Sequence, residues 1–466
     1  MALTILAVGL LIFVGHFLAD FFQRTKVPDV LILMLAGIVI GPVLGLVTPA
    51  DFGKVGAVFT TLALIIILFE GGIHLNVRHL ATAATDTLAV SLATFALTAL
   101  ALAFLADWLL PVDFMTAALL GTILGGTSSA VVVPLMRVLN LAPRPGTVLF
   151  LESALTDVLV IVLALGLMQA LAAQQAGSGA EFGGLALAAS VGKSFVIAGL
   201  IGAAGAFVWS AILDRVRRVP NTVFTTFAYV FILFGTAELM GYSGAIAALV
   251  FGVAVANLAN IPDNLIGRLF SFRLAAFAEQ ERAFFAEAVF IVKTFFFVYL
   301  GVSMTFGDWR AVVTGLALAG AAFVGRALVI RLLGPTQMGR RDAMLMVALI
   351  PKGLAAAVLA SLPLQMGLDG GAVLQSTVYA AVFFSIVLCA LLVFAAERGL
   401  LDAPAAAWLG KYALTPATAA ARPSGTALLI EPALAHPDLM AELQEPNPIR
   451  APEATPVPEA APDVPR

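Results

Sequence analysis

Apolar residues run along this chain in blocks of about 20, the length of helix that crosses a hydrocarbon core of roughly 30 Å. Thirteen such blocks can be placed, near 2–21, 29–48, 55–74, 86–108, 114–136, 146–172, 189–213, 221–241, 243–258, 285–304, 311–333, 343–365 and 372–396. Charged residues, Pro and Gly gather between them. The pattern predicts an all-α polytopic membrane protein with about 13 transmembrane helices. Assigning the connecting segments alternately to two sides leaves 15 of the 21 Lys and Arg before residue 402 on one face, with Lys54 and Arg310 on the other. The positive-inside rule makes the first face cytoplasmic, so the N-terminus is expected outside and the C-terminus inside. The chain enters an apolar block at once, without a basic leader, and that block is expected to be a retained first span.

Composition sharpens the class. With 61% hydrophobic and 11% charged residues, the chain is no ordinary water-soluble globule. The formal net charge of −3 originates in the last segment, where eight acids face four bases from Asp402 onward and 12 of the 24 prolines collect. This predicts a membrane domain over 1–401 and an Ala/Pro-rich, disordered cytoplasmic tail over 402–466. The segment 259–284 alternates apolar residues with Arg268, Arg273, Glu279, Glu281 and Arg282, as a helix lying in the membrane interface would. A single cysteine, Cys389, excludes an internal disulfide and a thiolate metal site. His16, His74 and His79 are scattered near helix ends and no Ser/His/Asp set appears, so the chain does not read as an enzyme.

Charges inside apolar blocks are costly and mark function or internal pairing. The deep ones are Glu152 and Asp157 in the sixth block, Lys293 in the tenth, Arg326 in the eleventh and Lys352 in the twelfth, with Glu70 and Lys193 nearer block ends. At about 1.5 Å rise per residue, Glu152 lies about 9 Å in from the cytoplasmic face, Arg326 about 10 Å and Asp157 about 16 Å. Glu152 and Arg326 share a depth, which predicts an ion pair between helices, with a planar guanidinium presented to a carboxylate. Asp157 sits near the midplane. Burial disfavours the charged form of a carboxylate, so an Asp in a partly hydrated cavity there can exchange a proton for a bound cation. Thr156 adds a hard hydroxyl oxygen beside it.

Two blocks carry helix-breaking residues at mid-depth. The fifth holds Gly125-Gly-Thr-Ser-Ser129 and the twelfth Ile350-Pro-Lys-Gly353, where Pro removes a backbone donor and Gly lowers the cost of non-helical dihedrals. These two spans run in opposite directions, as expected where inverted repeats meet at a central site. Lys352 is placed to neutralise facing helix ends at such a crossing. The runs 31–41 and 246–256 share an apolar and glycine pattern in the second and ninth blocks, a faint trace of an internal repeat.

Four stretches together resemble the monovalent cation/proton antiporter superfamily, which includes bacterial sodium/proton antiporters. Lys26-Val-Pro-Asp-Val-Leu with Gly37-Ile-Val-Ile-Gly-Pro42 is similar to the family's second-helix signature, and Leu68-Phe-Glu-Gly-Gly72 to its third. Glu152-Ser-Ala-Leu-Thr-Asp157 resembles its ion-binding motif. Gly325-Arg-Ala-Leu328 and Pro351-Lys-Gly-Leu354 resemble two late core helices. The resemblance covers about residues 5–398. It implies a dimerisation domain beside a core of six helices with two crossed, interrupted helices, elevator-like movement of the core, a homodimer in the inner (plasma) membrane, and no nucleotide, metal cofactor or nucleic-acid partner. By position, Asp157 takes the role of cation and proton carrier, and Glu152 with Arg326 that of the structural pair. Thr127, Ser128 and Ser129 match the first interrupted helix, Lys352 the second.

Two departures bear on mechanism. Thr156 stands where the electroneutral branch has Asn and the electrogenic branch a second Asp, so one-for-one Na+/H+ exchange is the simpler expectation. The Thr-Ser-Ser run is closer to the potassium-efflux branch, which keeps K+/H+ antiport or a potassium-efflux-type pathway as the alternative. The tail lacks the Gly-rich strand-turn-helix fingerprint of a nucleotide-binding regulatory domain. Lys293 and Glu70 are expected to gate or modulate the site.

Overall fold

In the computed structural model the described residues are 2–74, 85–176, 184–219, 224–258, 277–304, 306, 308–335 and 338–412. They form helices throughout: α1 (Ala2–Thr25), α2 (Asp29–Ile38, carried on by a π turn over Val39–Val43), α3 (Gly53–His74), α4 (Thr85–Leu109), α5 (Phe114–Gly125), α6 (Ser129–Leu139), α7 (Pro143–Gln175) and α8 (Gly184–Val216). There follow α9 (Thr225–Leu239), α10 (Gly244–Leu258), α11 (Glu279–Val302), α12 (Trp309–Leu333), α13 (Arg340–Ala348), α14 (Leu354–Gln365), α15 (Gly371–Glu397) and α16 (Asp402–Trp408). Among the described residues, seven helical segments are long and apolar enough to cross a membrane, and six shorter apolar helices accompany them.

Two apolar cores organise the bundle. The larger one is built mainly from α4, α5, α6, α7 and α12 to α15, with Leu33, Met34 and Phe296 from α2 and α11 at its edge. The smaller gathers Phe69 of α3, Trp209 of α8, Phe227 of α9, Phe251 of α10 and Phe285 of α11, with ring edges meeting ring faces around Phe69. Where helices approach most closely, glycine makes room. Gly37 of α2 and Gly301 of α11 face each other, so a Cβ on either would strike the backbone of the other helix, and Gly72 of α3 and Gly252 of α10 repeat the arrangement. Such small-residue crossings let backbones come into van der Waals contact where no hydrophobic force joins helices.

Composition misplaces two segments. Residues 402–412, counted with the tail, are folded: Tyr412 is buried and its hydroxyl donates to Ile330 O at 2.7 Å, while Trp408 Nε1 donates to Ala327 O at 3.3 Å. Aromatic side chains bonded to carbonyls along the C-terminal part of α12 hold this stretch, and an Ala/Pro average over the whole tail conceals it. Residues 413–466 lie outside the described residues. Likewise, Glu279, Glu281 and Arg282 belong to the start of α11 rather than to an interfacial helix. Acids are favourable in a first turn, and Glu281 accepts from Ala278 N at 2.8 Å while pairing with Arg217 at 2.6 Å. Arg268 and Arg273 fall outside the described residues. Cys389 is fully enclosed within α15.

Candidate ion-binding site at two broken helices

The fifth apolar block folds as two helices, α5 ending at Gly125 and α6 starting at Ser129, and the twelfth as α13 ending at Ala348 and α14 starting at Leu354. In the first gap Gly126 is extended, with φ −79° and ψ 168°. The gaps cross in contact. Ser128 N donates to Pro351 O at 2.9 Å, replacing a helical bond on each strand, and the Ser128 side chain fills the space where a Cβ on residue 353 would stand, which only Gly353 permits. Lys352, 2% exposed, reaches across the crossing and donates from Nζ to Gly126 O at 2.9 Å. An ammonium is thus set against the negative end of α5.

α7 passes beside this crossing and supplies both acids. Asp157 is partly exposed. Its Oδ2 accepts from Ser129 Oγ at 2.6 Å, and the Ser129 amide, at the N-terminus of α6, also faces the carboxylate. Thr156 Oγ1 accepts from Thr127 N at 3.1 Å, while the buried Thr127 Oγ1 has no hydrogen-bond partner among the described residues. Asp157 therefore has beside it a hydroxyl donor and the open end of a helix. Among the described residues no cation stands within ion-pair distance of it.

Glu152 has the opposite surroundings. It and Arg326 are both 0% exposed, and the guanidinium grips both carboxylate oxygens, Nη1 to Oε1 at 2.6 Å and Nη2 to Oε2 at 2.7 Å. Arg326 also donates to Thr94 Oγ1 at 2.7 Å and to Met346 O at 3.0 Å, so four helices, α4, α7, α12 and α13, meet on one side chain. Thr94 had a sequence signal: Thr87, Ser91, Thr94 and Thr98 recur at three- and four-residue steps, and all four are buried on one face of α4. Met346 contributes only its carbonyl and had none.

The two suggested modulators separate. Lys293 pairs with Asp29 of α2 at 2.9 Å, with both side chains mostly buried. Glu70 lies close enough to Asp157 for their charges to interact, and its Oε1 is 3.3 Å from His74 Nδ1, one turn on toward the end of α3. Ser385 of α15, absent from the sequence reading, accepts from Lys352 N at 2.9 Å. A cavity of about 320 Å³ lies elsewhere, lined by Ser303, Asp308, Val373, Gln375, Ser376 and Tyr379; none of the predicted site residues borders it.

Apolar helices, two of them broken and crossed beside a partly accessible acid, define a multi-pass integral membrane protein of the ion-transporting class. Residues 9–396 match the family model described as the transmembrane sodium/hydrogen exchanger, and the chain belongs to that family. It is a family of transporters, not of enzymes. The chain is 26% identical over 411 residues to a K(+)/H(+) antiporter, NhaP2, of Shewanella oneidensis, covering 83% of this chain but only 64% of that relative's length. It is 25% identical over 156 residues to Na(+)/H(+) antiporter 1 of Methanocaldococcus jannaschii, 33% of this chain and 37% of the relative. The fold is similar to the solved sodium proton antiporter MjNhaP1 of that archaeon, with TM-score 0.63 and 18% identity, covering 84% of this chain and 99% of the other.

Proposed function

We propose that the chain is a secondary active cation/proton antiporter in which Asp157 alternately holds Na+ and a proton. One contrast carries this reading: five residues apart on one helix, Glu152 is sealed at 0% exposure against Arg326, whereas Asp157 is partly accessible and has no cation in contact among the described residues. A carboxylate in apolar surroundings without a fixed counter-charge favours a mobile one. Ser129, Thr127 and Thr156 supply the oxygen-rich surroundings that suit an alkali-metal ion. Lys352 keeps the facing helix ends neutral, and Glu70 with His74 lines the approach from the cytoplasmic end of α3.

Thirteen spans, with α5/α6 and α13/α14 each counted as one, form two inverted repeats. Aligning 31–41 with 246–256 sets Gly37 against Gly252, and each of these glycines meets a glycine, Gly301 or Gly72, on a helix of the other half. Helices α4 to α7 and α12 to α15 form the moving core, and α1 to α3 with α8 to α11 form the scaffold on which a homodimer assembles in the plasma membrane. A Na+ or a proton neutralises Asp157 by the same one charge, so exchange is one for one and electroneutral. No cofactor enters the cycle.

Exchange of K+ is the second reading, favoured by the K(+)/H(+) antiporter name of a relative matching over 83% of the chain. Proteoliposome exchange, measured with Na+ and K+ separately across a pH series and with and without an imposed potential, decides between the ions and reads the coupling. Asp157→Asn is expected to abolish cation-dependent proton movement with the protein still folded. Exchange retained in that variant would remove Asp157 from the role.

A further inference from the structure

Each broken helix has its gap held by a hydroxyl from the helix that follows it. At the first gap the Thr127 amide donates to Thr156 Oγ1 on α7 at 3.1 Å, and at the second the Lys352 amide donates to Ser385 Oγ on α15 at 2.9 Å. Thr156 and Ser385 are both 0% exposed. Each also donates its own proton three residues back along its helix, Thr156 to Ser153 O at 3.4 Å and Ser385 to Val382 O at 2.8 Å. A hydroxyl inside a helix commonly bonds a preceding carbonyl. Here the same oxygen in addition accepts from an amide whose own helix has been interrupted, so both of its functions are in use.

From this we infer that Ser385 is a positioning residue of the ion site, a bracket that fixes the second gap and with it the ammonium of Lys352, as Thr156 fixes the first. Lys352 is flanked by the two residues that contact the other gap. Pro351 O accepts from Ser128 N, Gly353 packs on the Ser128 side chain, and Lys352 Nζ itself bonds Gly126 O. Without the Ser385 hydroxyl, the Lys352 amide is a buried donor with no acceptor, and such a group either bears the full desolvation cost or moves. Movement of this backbone carries Pro351 O and the ammonium with it. The partners it disturbs, Gly126 and Ser128, stand three residues and one residue before the Ser129 that holds Asp157.

The two brackets differ in one respect. The residue after Thr156 is Asp157, and the residue after Ser385 is Ile386, fully buried. The frame is held twice and carries one acid, in keeping with single-ion exchange.

The inference rests on the proposed role of Asp157, and its test separates the two. The full chain carrying Ser385→Ala, Ser385→Cys or Ser385→Thr is reconstituted alongside Asp157→Asn. Exchange is measured against Na+ and K+ concentration and pH, and backbone deuterium uptake is followed over residues 349–354. Cys is close to Ser in size but a weak acceptor, so it keeps the packing if Ala does not. Ala and Cys are expected to raise the half-saturating cation concentration about tenfold, the scale of one unsatisfied buried amide. They should also displace the pH profile and speed deuterium uptake at the gap. Thr, which keeps the acceptor, restores all three. Ala and Cys variants with wild-type half-saturation, pH profile and uptake would overturn the assignment. Failure of the Asp157 reading appears separately, as exchange by Asp157→Asn, and leaves the deuterium result standing.

Discussion

Removing Glu152 tests whether the buried pair is architecture rather than transport machinery. In Glu152→Ala the guanidinium of Arg326 loses both of its short contacts, at 2.6 and 2.7 Å, and its only described counter-charge in contact. It keeps Thr94 Oγ1 and Met346 O. Two neutral acceptors do not balance a guanidinium that is 0% exposed, and breaking a buried pair from one side costs about 3–5 kcal/mol. Replacing both partners with apolar residues of similar volume, as in Glu152→Leu with Arg326→Met, removes the stranded charge. It should recover most of that loss, because the pair's attraction roughly offsets its own desolvation. The assay is thermal unfolding of detergent-purified protein followed by intrinsic fluorescence, with the single and double variants in parallel. The single variant should melt well below the wild type and the double close to it. A single variant that melts with the wild type, or a double variant less stable than the single, would refute the reasoning.

Ser129→Ala removes the hydroxyl 2.6 Å from Asp157 and should weaken cation affinity in exchange assays by about ten- to a hundredfold, the scale of one hydrogen bond to a charged group, without lowering the melting temperature. Glu397 of α15 bonds both Lys26, at the α1–α2 junction, and Arg341 of α13. If the proposed core moves against the proposed scaffold, Lys26→Glu should change the exchange rate, and Lys26→Glu with Glu397→Lys should bring it part of the way back; a double variant no better than the single would show that the Lys26–Glu397 pair does not set that rate. Gly301→Leu should prevent α11 from seating on α2 and abolish a monodisperse peak in size-exclusion chromatography, whereas Gly71→Ala, which meets no neighbour, should leave the peak unchanged.

Hydrophobic periodicity reached far in this chain because the bilayer imposes one length on every span. Each apolar block overlaps a helix or a pair of half-helices among the described residues, and seven of these segments are long and apolar enough to cross a membrane. The Glu152 and Arg326 pair was legible for a related reason, since a fixed rise per residue turns sequence position into depth. Lys293 shows where depth stops helping. Its partner Asp29 belongs to a first turn that reads as a helix end, and only the packing of α2 on α11 brings the two within 2.9 Å. The crossing was half legible. Pro and Gly announced the breaks, but the bonds that join them run to the carbonyls of Gly126 and Pro351, and a carbonyl leaves no mark in residue identity. Ser385 was hidden because a lone serine in an apolar helix looks the same whether it bonds its own backbone or also a neighbour's.

Cys389 is the chain's one thiol, and it is 0% exposed inside α15. Reagents that alkylate cysteine from water therefore have no native target on the folded protein. The wild-type sequence can serve directly as the unreactive background for site-directed labelling, and cysteines placed at Lys26 and Glu397 would report the parting of that ion pair without first removing a native thiol. The same thiol becomes a marker once the bundle loosens, because its alkylation would time the moment α15 leaves its neighbours.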